Sequence, residues 1–106
     1  MKFHFSQGRQ EFKDGHSVKF KELEIAINSR NTRLTIRIYP SNTFLTYHNN
    51  YKNITKVLHK SPHVDAQRNM GTWLDEEFRK MRIRVGGEKF DSIMQMYQKL
   101  QQELIE

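Results

Sequence analysis

The chain has 106 residues, no cysteine, and eighteen Lys and Arg against twelve Asp and Glu, for a net charge of +6 and a pI near 9.7. That length suits one domain, 1–106, with a single core, and the missing cysteine excludes disulfides, thiolate zinc sites and thiol nucleophiles. No run approaches the roughly eighteen apolar residues of a membrane span, and MKFHFSQGRQ has no apolar signal stretch, so a cytoplasmic protein without a membrane partner is expected.

The charge is uneven. Residues 1–60 carry eleven Lys and Arg against four Asp and Glu, net +7, whereas 61–106 carry seven against eight, net −1. A basic first half makes polyanions the first partner class to consider.

In chain order, Phe3 and Phe5 alternate as in a strand, and Asp14-Gly15 offers the residues of a two-residue hairpin turn. From Val18 and Phe20 the apolar phase slips at Lys21 and Glu22 to Leu23, Ile25 and Ile27, which predicts a bulge or bend there. INSRNTR reads as a turn. In TRLTIRIY, Leu34, Ile36 and Ile38 point one way while Arg33, Thr35, Arg37 and Tyr39 point the other. Pro40, Ser41 and Asn42 interrupt, and TFLTYH predicts another strand, ending at Asn49 and Asn50.

Ile54, Val57 and Leu58 have helical spacing, Ser61 and Pro62 read as the N-cap and first residue of a helix, and Thr72 followed by Asp75 or Glu76 reads as a further helix start. KMRIRV alternates like a last, basic strand that carries Lys80, Arg82 and Arg84 on one side. After Gly86-Gly87, Phe90, Ile93, Met94, Tyr97, Leu100 and Leu104 form the apolar stripe of a C-terminal amphipathic helix. The expected class is α+β: an antiparallel sheet of about four to five strands, that helix packed on one face, and a partly helical insertion before the last strand. The order resembles small single-strand binders such as the PUR repeat, over FRKMRIRVGGEKFDSIMQMYQKLQQELIE, without a diagnostic motif.

Candidate chemistry is sparse. His59, His63 and Asp65 have metal-ligating side chains, but Pro62 breaks the His59 to His63 interval and no further ligand set accompanies them, so no metal or other cofactor is expected. Asp75, Glu76 and Glu77 suit a helix start, and Gly86-Gly87 lacks the rest of a phosphate loop. With no nucleophile or paired acid and base, a non-enzymatic role is expected. Arg33, Arg37, Arg82 and Arg84 with Tyr39, supplemented by Lys80 and by Lys56 from the row Lys52, Lys56, Lys60, suit a face for nucleic acid, single-stranded DNA or RNA above duplex. Tyr47, Tyr51 and Trp73 are further stacking candidates, with Trp73 fitting a core equally well. The alternative is a regulatory or inhibitory protein whose basic face docks on an acidic partner, with a homodimer formed through Met94, Met96, Leu100 and Ile105.

Overall fold

The computed structural model describes residues 1–28 and 31–105, with the side chain of Ile105 excepted. Five strands, β1 (Lys2–Glu11), β2 (Ser17–Asn28), β3 (Thr32–Ile38), β4 (Asn42–Asn49) and β5 (Ile54–Pro62), form one antiparallel sheet in the order β1-β2-β3-β4-β5. Two helices follow, α1 (His63–Lys80) and α2 (Gly87–Ile105). The class is α+β, with the C-terminal helix on one face of the sheet, as its composition of elements predicts. No helix among the described residues is long and apolar enough to cross a membrane.

The core lies between that face and the helices. Leu23 and Ile25 of β2, Leu34, Ile36 and Ile38 of β3 and Leu45 of β4 are fully buried against Ala66, Met70, Leu74 and Phe78 of α1 and Ile93, Tyr97 and Leu100 of α2. α1 lies over β4 and β5, α2 over β2 and β3. Strand alternation and the helical stripe thus meet on one side, and the odd-phase residues of β3 are left on the other.

Several local expectations are corrected. The first hairpin closes through a five-residue loop, 12–16, between the paired Glu11 and Ser17, not through two residues. Gly15 still supplies the positive φ, at 85°, while its N–H donates to Phe12 O at 3.0 Å and Asp14 Oδ1 accepts from the His16 N–H at 2.9 Å. β2 keeps an unbroken register past Lys21 and Glu22; its irregularity is at Ala26 and Asn28. The apolar phase changes because Phe20 faces the open side instead of the core. The turn expected over INSRNTR includes residues 29–30, outside the described ones.

Residues 54–58 are strand, not helix. Leu45 pairs with His59 and Thr46 with Val57, so Leu58 is the extra residue of a β-bulge in β5. A bulge breaks the two-residue period, which is why Ile54, Val57 and Leu58 mimic helical spacing. α1 then starts at His63 with Pro62 as its N-cap and no side-chain cap, and runs unbroken through Thr72. Gly71 sits mid-helix facing α2, where a Cβ would make ordinary contact with Met94 Cε at 3.8 Å.

KMRIRV is not a strand. α1 ends in a Schellman motif: the Ile83 N–H donates to Phe78 O at 2.9 Å and the Arg82 N–H to Arg79 O at 2.9 Å. The residue that turns the chain there, usually glycine, is Arg82 with φ 58°, at a cost of roughly 1 kcal/mol. Residues 82–86 form an irregular connector whose Ile83 and Val85 pack against the core and whose Arg82 and Arg84 are exposed. The alternation marks a connector half-buried on the core, not a strand of the sheet.

Candidate functional site

The open face of the sheet is built by the register. Glu22 and Arg37 are directly opposed on β2 and β3, as are Glu24 and Thr35, and Arg37 opposes Phe44 of β4. Thr35 opposes Thr46, and Arg33 opposes His48, which in turn opposes Thr55 of β5. These residues face away from the helices because their neighbours Leu23, Leu34, Ile36 and Leu45 face toward them.

Three aromatic rings and two cations run across one end of this face. The Arg37 guanidinium carbon lies 4.3 Å from the centroid of Phe20; the Phe20 and Tyr39 rings are 5.6 Å apart, tilted at 49°; Tyr39 meets Phe44 edge-on at 5.5 Å; and Lys60 Nζ lies 5.5 Å from the Phe44 centroid. Cations over ring faces at both ends match the ring quadrupoles. The rings are half-buried, and the Tyr39 hydroxyl donates to Gln10 Oε1 at 2.6 Å. On β1, a Cβ at Gly8 would come within 2.8 Å of Phe20 Cζ, so glycine makes room for that ring.

Beside the rings lies a groove of about 350 Å³ walled by Tyr39, Phe44 and Arg37, floored by Thr35 and Thr46, and closed by His48, Thr55 and Val57. His48 Nδ1 is 3.2 Å from Thr55 Oγ1. Burial, aided by the charge of Arg33, holds the His48 pKa below its ordinary 6.5, which favours the neutral ring.

The arginines of this face are not free cations. Arg37 Nε and Nη2 donate to the same oxygen, Glu22 Oε2, at 2.9 and 2.7 Å, and its pKa is raised: burial works against the charge, and the bonds to Tyr39 and Glu22 outweigh it. Arg33 Nη1 lies 3.7 Å from Glu24 Oε2. Much of the positive charge that β3 contributes is therefore compensated by β2.

The seven residues expected to form one surface separate into groups. Arg33, Arg37 and Tyr39 share the open face. Lys56 opposes Tyr47, whose partner Leu34 is in the core, so it belongs to the helix side at the β5 edge. Lys80 Nζ is 3.1 Å from Glu77 Oε1, and Arg82 and Arg84 lie in the connector after α1, in the helix layer. The expected union of two basic strands fails because the second is not a strand. Trp73 stacks on His59 at 4.7 Å with the planes 5° apart, between α1 and β5, and Tyr51 is exposed in the 50–53 turn. His59 and His63 sit on different elements, and no group of three possible metal ligands occurs among the described residues.

Phe20, Phe44 and His48 belong to the site without having been expected there, and Lys60, expected in a helical row with Lys52 and Lys56, joins it from a strand. Their signal was phase: Phe20 and Phe44 are out of step with Leu23 and Leu45, and the Leu58 bulge obscured it for Lys60.

Comparison with known proteins adds no relative. No protein-family model, curated protein or solved structure matches this chain. The reading of the site therefore rests on its own geometry.

Proposed function

We propose that this protein is a non-enzymatic binder of single-stranded nucleic acid and that the open sheet face is its interface. The observation that carries the reading is the row Arg37, Phe20, Tyr39, Phe44 and Lys60 on the side of the sheet away from the core. Unpaired bases stack on aromatic faces whatever their identity, and adjacent cations meet the phosphates. Tyr39 and Phe44 wall a groove, and the hydroxyls of Thr35, Thr46 and Thr55 offer donors and acceptors to base edges or a ribose. A duplex keeps its bases stacked and offers this face only phosphates.

The test is fluorescence anisotropy with labelled single-stranded DNA, single-stranded RNA and duplex DNA. The single strands bind more tightly, and Tyr39→Ala with Phe44→Ala weakens them by about tenfold or more. Equal binding of all three nucleic acids, unaffected by the two substitutions, refutes the proposal.

A second reading has its own observation. Because Arg33 and Arg37 are paired, the freest basic surface of the first half includes Arg9, Lys13 and Lys19 on the β1–β2 hairpin, where β2 extends beyond its pairing with β3 at Lys21. That arm suits an acidic protein partner. A stoichiometric protein complex that survives nuclease and is lost on Lys13→Glu and Lys19→Glu favours this reading over the first.

A further inference from the structure

We propose that Arg79, Arg82 and Arg84 form a second anion site, for a phosphate group, on the helix layer and independent of the open sheet face. The three arginines line a cavity of about 510 Å³ with Asp75, Ile83 and Val85. Its single carboxylate is already engaged: Asp75 Oδ2 forms an i,i+4 ion pair with Arg79, 3.0 Å from its Nε. Among the described residues no carboxylate lies within ion-pair distance of Arg82 or Arg84, whereas Arg33 and Arg37 on the sheet each have a glutamate. The cavity holds two uncompensated guanidinium groups and one compensated one, and guanidinium forks match phosphate oxygens in bidentate geometry.

The backbone bears on the same point. Glycine at position 82 would make both cap hydrogen bonds without the left-handed strain that Arg82 carries at φ 58°. What arginine adds there is its side chain, held at a fixed departure angle from the end of α1. Ile83 and Val85, packed on the core, pin the connector on either side of Arg84, so both arginines leave it on the exposed side beside Arg79. The backbone that carries these cations is thereby fixed, which lowers the ordering cost of binding an anion.

Inorganic pyrophosphate is the first probe, titrated calorimetrically at constant ionic strength. The wild type gives a saturable isotherm. Arg84→Gln and Arg82→Gly each weaken it by about tenfold or more, while Arg82→Gly raises the melting temperature of the unliganded protein by about 4 °C. That pairing of a stabler fold with weaker binding cannot come from unfolding. Tyr39→Ala leaves pyrophosphate binding unchanged, so the fate of the open-face reading is decided separately. Oligonucleotides with 5′-phosphate and 5′-hydroxyl ends then identify the source of the group. Displacement of pyrophosphate by the phosphorylated end alone assigns a nucleic-acid terminus, and displacement by neither assigns a small phosphate ester; both support the site. Equal displacement by the two reduces it to a general polyanion patch and overturns it, as does a non-saturable titration or wild-type affinity in both arginine variants.

Discussion

Arg37 is the residue at which stability and binding make opposite demands. Its guanidinium gives two hydrogen bonds to Glu22, whose side chain is 15% exposed, and covers Phe20. Arg37→Ala removes a charge-assisted pair worth about 1.5–3 kcal/mol when one partner stays behind and a cation–π contact worth about 0.5–1 kcal/mol. Arg37 is 39% exposed, so water screens part of the first contribution, and a loss of about 2 kcal/mol is expected. For a domain of this size that lowers the melting temperature by about 8 °C. Arg37→Met combined with Glu22→Leu should recover most of the loss, because the stranded carboxylate has gone. Glu22→Gln goes the other way: it releases the guanidinium, costs about 1 kcal/mol, and steepens the salt dependence of single-strand binding by up to about 0.7 in the log–log slope. Thermal and urea denaturation followed by circular dichroism, with anisotropy titrations at several salt concentrations, read all three variants. A change below about 0.5 kcal/mol for Arg37→Ala, or no recovery in the double variant, would show that the ion pair is ornamental to the fold.

Other perturbations probe separate parts of the molecule. Tyr97→Phe leaves the amide of Gln101, now donating to the Tyr97 hydroxyl at 2.8 Å in a buried site, without its partner, and should cost about 1–2 kcal/mol in urea denaturation. The same hydroxyl is pushed by burial from 10.0 up to about 12, so its contribution is intact below pH 10 and declines as pH rises toward 12, a decline that Tyr97→Phe abolishes. His48 has the opposite sense: with its pKa held below the ordinary 6.5, the unfolded chain takes up the proton first, so stability falls as pH drops below 6.5. His48→Gln should flatten that part of the melting-temperature profile, and an unchanged profile would remove His48 from the account. Gly8→Ala forces the Phe20 ring to move and should cost about 1 kcal/mol together with a change in the near-ultraviolet circular dichroism; a silent substitution would mean that Phe20 does not pack over β1.

Where one physical period governed a segment, the chain could be read directly. Leu34, Ile36 and Ile38 declared β3 and its open face, and the Phe90 to Leu104 stripe declared α2 and its place on the sheet. Where two causes overlapped, it could not. The bulge at Leu58 turned a strand into an apparent helix turn, Thr72 with Asp75 and Glu76 inside α1 imitated a helix start, and the core-anchored connector imitated a strand. The site was half legible for a related reason. That Arg33, Arg37 and Tyr39 share a side follows from alternation alone. That Glu22 and Glu24 lie across from them depends on the register through the β2–β3 connection, which no local pattern specifies.

The strand order also has a temporal consequence. Every pairing in the sheet joins neighbours in sequence, so each strand can be added as soon as it is available, with little loop entropy to overcome. The two helices come last in the chain, and between them they shield the entire apolar side of β2, β3 and β4. The meander can therefore pair before Leu23, Ile25, Leu34 and Ile36 receive α2. Until α2 docks, the apolar side of β2 and β3 stays uncovered, a surface prone to association with other chains.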